Sequence, residues 1–144
     1  MNTTHLQAAK RFAKAASLGL AVLAASAQAG THIDMTVDAT AQCVQVGGGT
    51  HNAFSSVNLP IGTWTVGIVS STVNLCYPEG DCPQSQVNLT LYGSDYPYAQ
   101  PMIVKPGAKQ VIEVTTPNDS AWGYITDAFC ADNAGSTVVR FTKK

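Results

Sequence analysis

Thr63-Trp64-Thr65-Val66-Gly67-Ile68-Val69-Ser70 alternates bulky apolar side chains with small or hydroxyl-bearing ones over its first six residues. Successive side chains of a strand point to opposite faces, so Trp64, Val66 and Ile68 share one face while Thr63, Thr65 and Gly67 take the other. The pattern predicts a half-buried strand. Gln86 to Tyr92 repeats it, with Val87, Leu89 and Leu91 inward and Asn88, Thr90 and Tyr92 outward. Further short segments of period two or of β-branched residues are Thr31–Ala39, Gln42–Val46, Phe54–Leu59, Met102–Val104, Gln110–Thr115, Ala121–Asp127 and Ser136–Thr142. Turn residues separate them, among them Pro60-Ile61-Gly62 and the run Gly47-Gly48-Gly49, and no amphipathic helix interrupts the series. Eight or nine antiparallel strands predict an all-β fold, a two-sheet antiparallel β-sandwich of jelly-roll type.

The first 29 residues read differently. Lys10, Arg11 and Lys14 precede a short apolar run from Ala15 to Ala25, and Ala27-Gln28-Ala29 has the small-x-small form of a cleavage site. This predicts a signal peptide over 1–29 and a single domain over 30–144, exported to the periplasm or secreted. The apolar run is shorter than the roughly 20 residues of a membrane-spanning helix, and nothing later in the chain approaches that length. From Gly30 onward, five Lys and Arg face nine Asp and Glu, a formal charge of −4. Nucleic acid is not an expected partner, because phosphate binding draws on Lys and Arg clusters that are missing here.

All four cysteines, Cys43, Cys76, Cys82 and Cys130, follow the signal segment. An even count in an exported chain predicts two disulfides, in one of three pairings. Cys76-Tyr77-Pro78-Glu79-Gly80-Asp81-Cys82 holds a Pro and a Gly and can fold back on itself, which favours Cys76–Cys82 and leaves Cys43–Cys130. Zinc is the competing use of four cysteines, but paired C-x-x-C knuckles are absent.

Tyr124-Ile125-Thr126-Asp127-Ala128-Phe129-Cys130-Ala131-Asp132-Asn133-Ala134-Gly135-Ser136 gathers Asp127, Asp132 and Asn133 over one short turn, with Gly135 free to bend the backbone. Calcium takes six to eight oxygens from such carboxylates, amides and backbone carbonyls. The same residues also build ordinary hairpin turns.

Four landmarks along the chain, in order, resemble the small calcium-dependent galactose-binding lectins of the LecA type and related exported bacterial jelly-roll domains. They are Leu59-Pro60-Ile61-Gly62-Thr63-Trp64-Thr65-Val66, Val87-Asn88-Leu89-Thr90-Leu91-Tyr92-Gly93-Ser94, Pro117-Asn118-Asp119 and the loop from Asp127 to Ser136. The resemblance implies a calcium held by Asp127, Asp132 and Asn133, by a backbone carbonyl near Phe129 and by the carbonyl of Tyr77. It also implies that two vicinal sugar hydroxyls complete the calcium shell, with Asp127 and Asp132 accepting their protons. A second loop, from Gly80 to Gln86, would then read the rest of a galactoside through Asp81, Gln84 and Gln86. Against the family pattern the 127–133 loop is one residue shorter, the 80–86 loop has no His, and both loops carry cysteines. These departures suit the alternative of a disulfide-stabilised interaction protein with a structural calcium or no metal.

Catalysis is not expected. His32 and His51, the histidines beyond the signal segment, belong to no triad or metal motif, and no pair of the nine acids stands out as a glycosidase couple. Tyr92, Tyr96, Tyr98 and Trp122 have the chemistry to stack on sugar rings, although Tyr and Trp in small sandwiches also serve in packing.

Overall fold

A computed structural model describes residues 30–47, 54–92, 100–117 and 119–144. The expected signal peptide, Gly48 and Gly49 of the glycine run, His51, Tyr96, Tyr98 and Asn118 lie outside the described residues. Among the described residues nine strands form, close to the spans that alternation predicts. They are β1 His32–Asp38, β2 Cys43–Gln45, β3 Ser55–Asn58, β4 Gly62–Ser71, β5 Val87–Tyr92, β6 Gln100–Val104, β7 Gln110–Val114, β8 Ser120–Asp127 and β9 Ser136–Lys143. One 3-10 turn, Cys130–Asp132, interrupts the path between β8 and β9.

The pairing follows a rolled ribbon. β1 pairs with β9, β3 with β8, β4 with β7 and β5 with β6, all antiparallel. Rolling this ribbon brings β4 against β9 and β5 against β8, which yields one sheet in the order β1-β9-β4-β7 and a second built on β2-β8-β5-β6. This is the expected jelly-roll sandwich, with one difference. β2 runs parallel to β8, placing Cys43 opposite Ile125 and Gln45 opposite Asp127. The turn after β1 accounts for it. Asp38 Oδ1 accepts hydrogen bonds from the N–H groups of Thr40 and Ala41 at 2.9 and 2.8 Å, and the Gln42 carbonyl accepts one from Ile125 at 2.8 Å. The chain therefore reaches β8 already heading in that strand's direction. β3 then takes the other half of the same β8 edge, antiparallel, with Ser55 opposite Gly123.

The inward positions of both sheets form one core. Trp64, Val66, Leu89, Ile125, Val139 and Phe141 are among its fully buried members, and Trp64 satisfies its indole N–H on the Pro60 carbonyl at 2.9 Å. Met35 and Val37 of the facing sheet fill the space over Gly123: a Cβ there would lie 2.5 Å from Met35 Cε and 2.8 Å from Val37 Cγ2. Side chains lace the open sides of the sandwich. Ser55 Oγ donates to the Thr36 carbonyl at 2.6 Å on one side, and Gln110 Nε2 donates to the Ile103 carbonyl at 2.6 Å on the other.

The two outer faces differ in charge. On the first sheet Arg140 makes a two-pronged ion pair with Asp34, both contacts at 2.7 Å, and this holds the Asp34 carboxyl below its ordinary value. Its contribution is therefore present above the unfolded carboxylate pKa and is lost as pH falls through the lowered folded value; exposed pairs of this kind contribute little. The outward positions of the second sheet's strands carry no charged side chain among the described residues.

Candidate functional site

The loop between β8 and β9 brings Asp127, Asp132 and Asn133 close in sequence, but their side chains have different employment. Asp127 ends β8 on the inward parity; its Oδ1 accepts the Ala128 N–H at 2.6 Å and its carbonyl accepts the Val46 N–H at 2.8 Å. Asn133 is buried at 6% exposure. Its Nδ2 donates to the Ala39 carbonyl at 3.1 Å and lies 3.3 Å from Cys43 Sγ, while its own carbonyl accepts from Thr40 Oγ1 at 2.7 Å. The Cys43–Cys130 disulfide fastens the same loop to β2. Two oxygens are left over: Asp132 Oδ1 and Asn133 Oδ1 are both buried and without a hydrogen-bond partner. Buried polar atoms without partners are rare and costly, and consecutive ones on an acid and an amide have the donor chemistry of a hard cation. Phe129, whose carbonyl the sequence suggests as a further ligand, precedes the 3-10 turn with its side chain 57% exposed. Among the described residues, no three His, Cys, Asp or Glu side chains converge on one point.

The second expected loop is organised by Asn74, a residue that sequence reading passes over. Its Oδ1 accepts the N–H groups of Cys76 and Cys82, both at 3.0 Å, and its Nδ2 donates to the Gly80 carbonyl at 3.0 Å. The Cys76–Cys82 disulfide closes the same turn, as the sequence leads one to expect, and Tyr77 and Asp81 stand exposed upon it. Replacing Asn74 with alanine removes all three bonds at once. At about 1 kcal/mol each, the expected loss is on the order of 1 to 3 kcal/mol, with faster hydrogen exchange at the Cys76 and Cys82 amides as the local readout. Unchanged exchange there would mean that the disulfide and the backbone bonds from Gly80 N–H to the Cys76 carbonyl and from Leu75 N–H to the Cys82 carbonyl hold the turn without Asn74.

Asn74 also sets the distance between the two loops. It bridges antiparallel to Pro83 on one side and to Ala134 on the other. Pro83 and Ala134 are thus two strand spacings apart, about 10 Å. Gln84 and Gln86 lie beyond Pro83, in an open depression of about 560 Å³ that Ser85 and Lys105 also line. The structure brings Gln84 and Gln86 together in this depression, whose lining includes neither Asp81 nor Asp132.

A third feature lies on the outer face of the second sheet. Trp122 of β8 stacks on Tyr92 of β5, with centroids 5.2 Å apart and planes 19° from parallel. It also stacks on Phe54, just before β3, at 5.6 Å and 20°. Tyr124 stands edge-on to Phe54 at 5.4 Å and 70°. A hollow of about 230 Å³ opens among Val44, Phe54, Thr90, Trp122 and Tyr124. Of these rings, sequence reading singles out Trp122 and Tyr92. Phe54 and Tyr124 are missed, although the outward alternation of Ser120, Trp122, Tyr124 and Thr126 along β8 is a usable signal.

Compared with protein-family models, with curated proteins and with solved structures, the chain matches none of them. Two disulfides fit an oxidising, exported setting, and among the described residues no helix is long and apolar enough to cross a membrane.

Proposed function

We propose that this is an exported, non-enzymatic carbohydrate-binding protein, acting in the periplasm or outside the cell, whose 127–135 loop takes calcium. The observation that carries the metal part is the pair of buried, unpartnered oxygens, Asp132 Oδ1 and Asn133 Oδ1. A bound calcium would satisfy both, with Asp127 and the carbonyls of Phe129 and Tyr77 as the further oxygens that the lectin resemblance suggests. The ion would supply positive charge to polarise vicinal sugar hydroxyls, and the side chains of this chain would orient the sugar and accept its protons.

One observation favours a second reading, in which the calcium is structural. Asn133 is tied inward to Ala39 and Cys43, and a ligand so deeply set is poorly placed to share a cation with a sugar. Calorimetric titration of calcium into chelator-treated protein, followed by galactosides, separates the readings. Calcium uptake is expected in the wild type and not in Asp127→Ala/Asp132→Ala. Saturation a hundredfold above Kd would add about 2.7 kcal/mol to the wild type's stability. A galactoside that binds only the loaded protein supports the lectin reading, and calcium without a galactoside supports the structural one. No heat and no gain in melting temperature with calcium would end both.

A further inference from the structure

We infer that the aromatic hollow on the outer face of the second sheet is a calcium-independent site for one ring of a neutral oligosaccharide, separate from the 127–135 loop. The inference shares the carbohydrate part of the proposed function and is independent of its metal part.

Three observations carry it. The first is the ring assembly: Tyr92, Trp122 and Phe54 stack in series across β5, β8 and the approach to β3, and the end members remain 53% and 41% exposed. Apolar rings held on an outer face cover one another only in part, and their remaining surface is matched by the C–H face of a pyranose. The second is the polar setting. Thr90 lines the hollow, Tyr124 brings a phenol to it, and next to it Asn88 Nδ2 donates to Thr126 Oγ1 at 2.6 Å. Amides and hydroxyls of this kind exchange hydrogen bonds with sugar hydroxyls. Trp122 is held in place by donating its indole N–H to Ser120 Oγ at 2.9 Å.

The third observation is charge. The opposite face of the sandwich carries the Asp34–Arg140 pair, whereas the outward strand positions around the rings are uncharged among the described residues. A neutral face complements a neutral ligand and offers nothing to an acidic or basic one. At about 230 Å³ the hollow is smaller than the 300 to 1,000 Å³ of drug-sized pockets, which suits a single ring of a longer chain lying across the sheet.

The test uses the disulfide-bonded protein in the presence of EDTA, titrated calorimetrically with linear β-linked tetrasaccharides of glucose, galactose, mannose and xylose. At least one is expected to bind, with a shift of tryptophan emission, since Trp122 is the tryptophan outside the core. Trp122→Ala is expected to weaken binding about tenfold, the scale of one aromatic contact, while Trp122→Phe keeps most of it and replacing the EDTA with calcium leaves the affinity unchanged. Should Trp122→Ala fail to fold, Phe54→Ala gives the same comparison. The inference is overturned if no tetrasaccharide binds the wild type, if ring removal leaves binding unchanged, or if sedimentation shows a dimer that Trp122→Ala dissociates. The last result would assign the face to a second copy of the chain. Binding that persists in EDTA while calcium titration gives no heat would retain this site and end the metal reading.

Discussion

Replacing Cys43 and Cys130 together with alanine is expected to lower the stability of the fold by about 4 to 5 kcal/mol, against about 2 kcal/mol for the corresponding change at Cys76 and Cys82. The contrast comes from loop length. The first bridge joins residues 87 apart in sequence and the second joins residues only 6 apart, so the first removes far more freedom from the unfolded chain. A small domain has only about 5 to 15 kcal/mol in hand, and the longer bridge is therefore a large fraction of the total. Alanine is the right replacement, because Cys43 is fully buried and serine would place a hydroxyl in the core. Denaturant unfolding of the two double variants is the measurement. Equal losses would show that the bridges act through native packing and not through the unfolded chain.

The second large effect is expected at Gly135, where alanine should destabilise by roughly 2 to 5 kcal/mol. Two costs add: about 1 to 2 kcal/mol for a side chain at positive φ, and about 1 to 3 kcal/mol for overpacking. The backbone at Gly135 has φ +84°, and a Cβ there would stand 2.1 Å from the Thr72 carbonyl oxygen and 2.6 Å from its carbon. Both atoms belong to main chain that has no room to yield. Thr72 N–H donates to the Ser136 carbonyl at 2.9 Å, and the Gly135 carbonyl accepts from Ala39 N–H at 2.9 Å. Gly47 and Gly107 are the controls, with φ of +83° and +73° and nothing within 4 Å of the place a methyl group would take. Alanine at either should therefore cost only the conformational part. Thermal melts of the three variants separate strain from collision, and a Gly135→Ala no worse than the controls would remove the steric argument.

These expectations rest on features that the sequence reveals unevenly. Period-two alternation locates β4 and β5 because each has one face against the core, so Trp64 and Val66, and likewise Val87, Leu89 and Leu91, announce their burial. Strand direction leaves no such mark. β2 is short, and whether it runs with or against β8 depends on hydrogen bonds made by Asp38 and Gln42 in the turn before it. The same holds for the candidate sites. Asp127, Asp132 and Asn133 are legible as oxygen donors, but sequence spacing cannot tell that Asp127 spends an oxygen on Ala128 while oxygens of Asp132 and Asn133 stay unpartnered. Phe54 and Tyr124 are far apart in sequence and meet only through the register of β3 on β8. Alternation along β8 marks Trp122 and Tyr124 as outward, but only tertiary pairing brings Phe54 and Tyr92 to them.

The pairing of β1 with β9 has a consequence in time. A chain that emerges with its N-terminus first must carry His32 to Asp38 without their partner until Ser136 to Lys143 arrive, since among the described residues no earlier strand borders β1 in its sheet. Non-local pairing of this kind makes folding slow. Oxidation should follow a matching order, with Cys76 and Cys82 joining as soon as their short turn exists and Cys43 waiting for Cys130, 87 residues further on. During that wait Cys43 is an unpaired thiol on a chain that already holds a disulfide, so the fold sets both the sequence of its crosslinks and the interval in which they are open to exchange.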